Sequence, residues 1–162
     1  MERLWTPWRM KYILSEKGAR CLFCDVIADN KDFENLVLYR GKKAFIMLNA
    51  YPYNNGHVMV APNAHVRDLD QLDTETLTEM MLLVTKSIRA LKKSMNPEGF
   101  NIGVNIGAVA GAGIEEHVHM HVVPRWCGDT NFMPVLAGTR LIPEELQDTY
   151  RKLQAAGITD PS

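Results

Sequence analysis

Three cysteines in 162 residues are too few to staple a fold and, being odd in number, cannot all pair. The chain is long enough to bury an ordinary core without cross-links and too short for two comfortable domains, so a single domain over residues 1–162 is expected. Charge of one sign is also missing. Eighteen Lys+Arg against 19 Asp+Glu leave a net charge of -1, which argues against generic adhesion to nucleic acid or to a membrane surface. No apolar run approaches a membrane span, and Arg3, Pro7, Arg9 and Lys11 break up the stretch a secretory signal would need, so a cytoplasmic protein is expected. There is no repeat, no low-complexity segment and no Gly/Ser- or Pro-rich linker.

What is present is a mixed periodicity. Val37–Tyr39 and Ala44–Leu48 are apolar runs separated by Arg40-Gly41-Lys42-Lys43, which reads as two strands and a tight turn. A loop over Tyr51–Gly56 leads to a strand over His57–Ala61 that Pro62 ends. Leu77, Met80, Met81, Val84, Ile88 and Leu91 then recur at helical spacing, with Asp73 as N-cap, Glu75 in the first turn and Lys92-Lys93 in the last. The methionines of this helix, Met80 and Met81, read as core packing. Strands are expected over Asn101–Ile106 and His117–Val123, and a C-terminal helix from Pro143 that Gly157 ends. Five strands in hairpin order around one long helix give an α+β class with an antiparallel sheet.

Three of the five histidines lie in His117-Val118-His119-Met120-His121, at alternate positions. Alternate side chains of a strand share a face, so the imidazoles form a row while Val118, Met120 and Val122 supply the apolar side. Filling a core this way is costly, because each ring needs partners for two nitrogens. The row points either to a zinc site with an open position or to covalent catalysis by a neutral imidazole. The loop upstream, Asn105 to Gly113, holds three glycines whose backbone N–H groups suit an anion, which favours nucleotidyl transfer. Cys21 and Cys24 in Cys-Leu-Phe-Cys read as metal or redox chemistry, and Cys127, beside Trp126 and Gly128, as a small filler.

The segment Glu116-His117-Val118-His119-Met120-His121-Val122-Val123-Pro124-Arg125 resembles the signature of the histidine triad superfamily, and Phe45 to Pro62 resembles that family's first half. The likeness covers most of residues 21–125, the core, between an N-terminal arm (1–20) and a C-terminal extension (126–162). Leu4 to Met10 and Arg125 to Phe132 resemble the branch that holds bacterial diadenosine tetraphosphate phosphorylases. The resemblance implies a five-stranded antiparallel sheet with one long helix and a C-terminal helix, a homodimer, and cleavage of dinucleoside polyphosphates at the α-phosphate. His119 would be the nucleophile, His121 would contact the phosphate or leaving group, and His57 would support the row. Asn49 matches the ribose-binding position, and Asn105 with Gly111, Ala112 and Gly113 the phosphate loop. Many family hydrolases carry Gln where this chain has Gly113, so a side-chain donor to the leaving group is missing. Double displacement with phosphate or water as acceptor implies ping-pong kinetics and net retention at phosphorus.

Related uridylyltransferase and bacterial triad proteins bind zinc at positions that here are Cys21, Cys24, His65 and His117. A Cys₂His₂ set makes a closed, structural site, so no catalytic metal is implied, and magnesium is expected only as a companion of the substrate's phosphates. The alternatives are a nucleoside phosphoramidase, a nucleotide sensor without turnover, and a protein whose triad itself holds zinc. The arm (Trp5, Trp8, Tyr12 with Arg3, Arg9, Lys11) reads as packing on its own core or on a second subunit, and Asp129, Asn131 and Phe132 as the far end of the pocket.

Overall fold

The computed structural model describes residues 21–132, 136 and 142–160; the N-terminal arm lies outside the described residues. Strands β1 (Val37–Arg40), β2 (Ala44–Leu48), β3 (Val58–Pro62), β4 (Gly99–Val104) and β5 (Met120–Arg125) form one antiparallel sheet in the order β1-β2-β3-β5-β4. Helices α1 (Leu22–Ala28), α2 (Thr74–Met95) and α3 (Leu146–Ala155) complete the described architecture. None of the described helices is long and apolar enough to cross a membrane.

The pleat sorts side chains onto two faces. Ile46, Leu48, Val58, Val60 and Val122 meet Met80, Val84 and Leu91 of α2 and Leu153 of α3 in the larger core. Their neighbours Phe45, Met47, Met59 and Ala61 turn the other way and pack on Phe23 and Val26 of α1. Both faces of β2 and β3 are therefore buried, which is why these strands read as unbroken apolar runs.

Helix α2 starts and stops as its sequence dictates: Asp73 accepts from the Thr76 N–H at 2.7 Å, and Asn96 closes the helix in the left-handed region at φ 47°. Met81 corrects the packing expectation. The buried stripe runs through Thr76, Met80, Val84, Ser87 and Leu91, and Met81, one position round the helix, is 52% exposed. Cys127 is exposed as well, so it fills no core.

β5 begins at Met120, three residues later than the alternation suggests. Its partner β3 ends at Pro62, which has no N–H to extend the ladder, and β4 leaves it beyond Val104, opposite Met120. His117 to His119 therefore precede the ladder, with the Val118 N–H bonded to the Val66 carbonyl at 2.8 Å.

α1 was not expected from periodicity. Seven residues make a marginal helix by themselves. Its C-terminal end is gripped by Arg40 of β1, whose guanidinium donates to the carbonyls of Val26, Ile27 and Asp29 at 2.9, 3.1 and 2.7 Å while pairing with Asp32 at 2.7 Å. α1 thereby stays against the sheet face that α2 leaves uncovered.

Candidate functional site

His121 lies opposite Met59 across the β3–β5 pair, so it stands on the α1 side of the sheet. His119 is beside it, ring centroids 4.8 Å apart, and His57, one residue before β3, lies 5.1 Å from His121. Gly56 makes the entry of His57 possible. Its φ is +74°, and a Cβ there would stand 2.9 Å from Met95 Sδ and 3.0 Å from Leu91 Cδ2.

Backbone groups of fixed polarity set the tautomers of His57 and His119, and His57 in turn sets that of His121. The Tyr53 N–H donates to His57 Nδ1 at 3.0 Å, so neutral His57 carries its proton on Nε2. That proton is directed to His121 Nδ1 at 2.9 Å, which puts the His121 proton on Nε2. His119 is set the opposite way: its Nδ1–H donates to the His117 carbonyl at 2.9 Å, and Nε2 keeps the lone pair. Burial holds the His119 ring below the ordinary imidazole pKa, against the partial opposition of that hydrogen bond. A proton donor and a lone pair thus stand side by side.

They border a cavity of about 250 Å³. Leu22, Val26, Leu36, Met47, Met59 and Ile114 make its apolar wall, and Asn49, Gly113, His119 and His121 are among its polar or backbone members. Such a lining suits a flat aromatic ring with a polar group at one end. Asn49, the expected ribose-binding residue, is among the residues lining the cavity, with its Oδ1 accepting from the Tyr51 N–H at 2.9 Å. Of the expected phosphate loop, Gly113 reaches the wall, whereas Asn105, Gly111 and Ala112 lie outside it. Asp129 and Asn131 do not form its far end. They border a separate space with Trp126, and Asp129 is taken by Arg125 at 2.6 Å and by Asn54 at 2.8 Å, while Phe132 is exposed. The Asn54 carbonyl in turn accepts from the His57 N–H at 3.2 Å, so Asp129 braces the loop behind the row. Leu22 and Val26 were missed from sequence, although their four-residue spacing around the Cys-x-x-Cys is a one-face helical signal.

His117 serves a second cluster. Its Nε2–H donates to the Pro62 carbonyl at 2.8 Å, leaving the Nδ1 lone pair 3.4 Å from Cys21 Sγ and 3.8 Å from Cys24 Sγ. Cys24 Sγ lies 3.3 Å from His65 Nδ1, and the four donor atoms all fall within 4.8 Å of one another. The edges of a tetrahedron with zinc bonds of about 2.0–2.3 Å are about 3.3–3.8 Å long; the pairs at 3.3, 3.4 and 3.8 Å match them, and the remaining pairs, within 4.8 Å, would close by up to about 1 Å around an ion. The carbonyl partner fixes the ligating tautomer, as metal-bound histidines require. Cys21, Cys24, His65 and His117 can therefore hold a metal. Burial, followed by the hydrogen bond and charge of Cys21 and the charge of Asp25, raises the Cys24 thiol pKa in the metal-free chain, so uptake of a metal would release protons.

Comparison with known proteins places this geometry. The chain is 41% identical to a protein of Mycobacterium tuberculosis named AP-4-A phosphorylase, over 99% of this chain and 87% of that one. Among solved structures, a zinc-bound histidine triad family protein from Mycobacterium smegmatis superposes with a TM-score of 0.67 at 29% identity, covering 84% of this chain and 91% of that one. A hypothetical histidine triad nucleotide-binding protein from Sulfolobus tokodaii gives a TM-score of 0.66 at 28% identity, with coverages of 85% of this chain and 89% of that one. The HIT domain family model matches residues 30–127, which span β1 to β5 and all five histidines, and the chain belongs to the histidine triad (HIT) family of nucleotide-processing proteins.

Proposed function

We propose that this protein cleaves dinucleoside polyphosphates by nucleotidyl transfer through His119, with phosphate as the acceptor. The observation that carries the reading is the His119 Nδ1–H bond to the His117 carbonyl, which aims an Nε2 lone pair at the edge of a nucleoside-sized cavity. In the first step a bond forms between His119 Nε2 and the α-phosphorus, and the bond from that phosphorus to the bridging oxygen of the leaving nucleotide breaks. His121, carrying its proton on Nε2 because His57 donates to Nδ1, hydrogen-bonds the departing oxygen. That role takes the place of the side-chain donor absent at Gly113. In the second step phosphate oxygen displaces the imidazole from phosphorus and frees a nucleoside diphosphate. Asn49 holds the ribose, and the apolar wall takes the base. The AP-4-A phosphorylase of M. tuberculosis supports phosphate over water as acceptor.

Two further parts belong to the reading. Zinc at Cys21, Cys24, His65 and His117 is structural: it ties α1 to the triad strand and has no open position for substrate. A second copy pairs along β4. The edge of β1 is covered by α3, through Tyr150 Oη to the Val37 carbonyl at 3.0 Å and Gln154 Nε2 to the Leu38 carbonyl at 3.2 Å, whereas β4 at the other edge presents a 45% exposed Ile102.

Product analysis with diadenosine tetraphosphate tests the chemistry. ADP and ATP formed only when phosphate is present is the expected result, and His119→Ala is expected to lose at least ~10³-fold in rate. AMP and ATP without phosphate would replace the phosphorylase by a hydrolase. No turnover would return the case to phosphoramidates or to a sensor.

A further inference from the structure

A single hydrogen bond fixes where one ring nitrogen sits but leaves an imidazole able to rock about it. His119 has such a bond at Nδ1, and two rings flank it: His121 at 4.8 Å and 69°, and Phe23 at 4.8 Å and 45°. Phe23 sits between the two cysteines on α1 and is 0% exposed. Its ring also lies 5.0 Å from that of His117 and meets Phe45 edge-on at 6.1 Å. Phe23 does not border the cavity; its α1 neighbours Leu22 and Val26 do. A buried ring that meets the triad and stays out of the cavity has no evident contact with substrate, yet it faces the atom group that reacts.

We propose that Phe23 is a positioning residue for His119: its rigid ring on α1, in tilted contact with the imidazole, keeps that ring oriented with Nε2 toward the cavity. The proposal rests on the reading of His119 as nucleophile. α1 is what makes Phe23 firm. Arg40 holds one end of that helix, and the donors Cys21 and Cys24, at and near the other, share a cluster with His117. The segment that carries the metal donors thus also carries the wall against which the reacting ring rests. Leucine or methionine at position 23 would fill much of the volume without a flat, stiff face.

The test compares Phe23→Leu and Phe23→Met with Phe45→Leu, which removes another ring of the same cluster, one that stands against Phe23. Zinc per chain, kcat and KM for diadenosine tetraphosphate with phosphate, and the ¹⁵N shifts of the His119 ring in substrate-free protein are measured for each. The expected result for both Phe23 variants is unchanged zinc, KM within about twofold of wild type and kcat lower by roughly tenfold, the size of loss that follows a small misplacement of a reacting group. The His119 nitrogens should move from a single Nδ1–H form toward a mixture, and Phe45→Leu should melt earlier with kcat kept. A folded, zinc-loaded Phe23→Leu with wild-type kcat and nitrogen shifts would overturn the proposal. So would a rise in KM alone, an equal loss of kcat in Phe45→Leu, or loss of zinc in both Phe23 variants. If wild type turns over no diadenosine tetraphosphate, the nucleophile reading falls by itself, and the nitrogen shifts alone decide for Phe23.

Discussion

An imidazole brings the same two nitrogens to any site, so the histidines here differ only in what each nitrogen meets. His117 donates its Nε2–H to the Pro62 carbonyl and offers Nδ1 to the cysteine cluster, while its own backbone carbonyl accepts the hydrogen bond from His119 Nδ1–H. One residue therefore joins the metal cluster to the proposed nucleophile. Because burial lowers the His119 pKa, the neutral, reactive form persists below the ordinary imidazole value of about 6.5. Protonation removes the lone pair, so kcat/KM for diadenosine tetraphosphate should stay flat as pH falls from neutral and drop only below that value. A pH–rate profile checks this, and an acid limb centred above about 6.5 would count against it.

At the scale of elements, the site depends on where strands and helices end. Gly56 lets the chain turn onto β3 beneath the last turns of α2. Gly56→Ala combines a left-handed strain of about 1–2 kcal/mol with contacts too close to Met95 and Leu91, so a loss of about 2 kcal/mol or more is expected in urea unfolding, with activity falling because His57 follows directly. The sequence was legible where a pattern repeats. The existence of five strands and the long helix with its Asp73 cap follow from alternation and helical spacing, whereas the expected hairpin order fails at the last two strands, because β5 inserts between β3 and β4. α1 was hidden because seven residues hold too few periods, and its stability comes from Arg40, fourteen residues beyond Val26. The start of β5 was misplaced because Pro62, on another strand, decides it. The direction of the proton chain was illegible for a similar reason. Its first donor is the main-chain N–H of Tyr53, which every residue type but proline supplies, so no side chain marks it. Asp129 was recognised as a feature, but its partners Arg125 and Asn54 place it behind the row instead of in the cavity.

At the scale of the whole molecule, the two ends of the chain's fold are tied by different means. Helix α1, gripped at its C-terminal end by Arg40, would be tied at its other end by the proposed metal site, and metal counting separates that site from one held by the triad. One zinc per chain should be lost in Cys21→Ser or Cys24→Ser and retained in His119→Ala, with chelation lowering the melting temperature as the folded state loses a ligand it alone binds. The opposite pattern would assign the metal to the triad. Helix α3 closes the β1 edge, which leaves β4 as the edge for the proposed second copy. Sedimentation should find a dimer, and Ile102→Glu should shift it to monomer at micromolar concentration; an Ile102→Glu protein that stays dimeric would place the interface elsewhere. The row of rings has a further consequence at this scale. In the tautomers its backbone partners select, the proposed donor and the lone pair are both uncharged, and the chain as a whole carries a net charge of -1. Among the described residues no Lys or Arg lines the cavity and Glu34 does, so the field that draws in a polyanionic substrate has to come from beyond that lining.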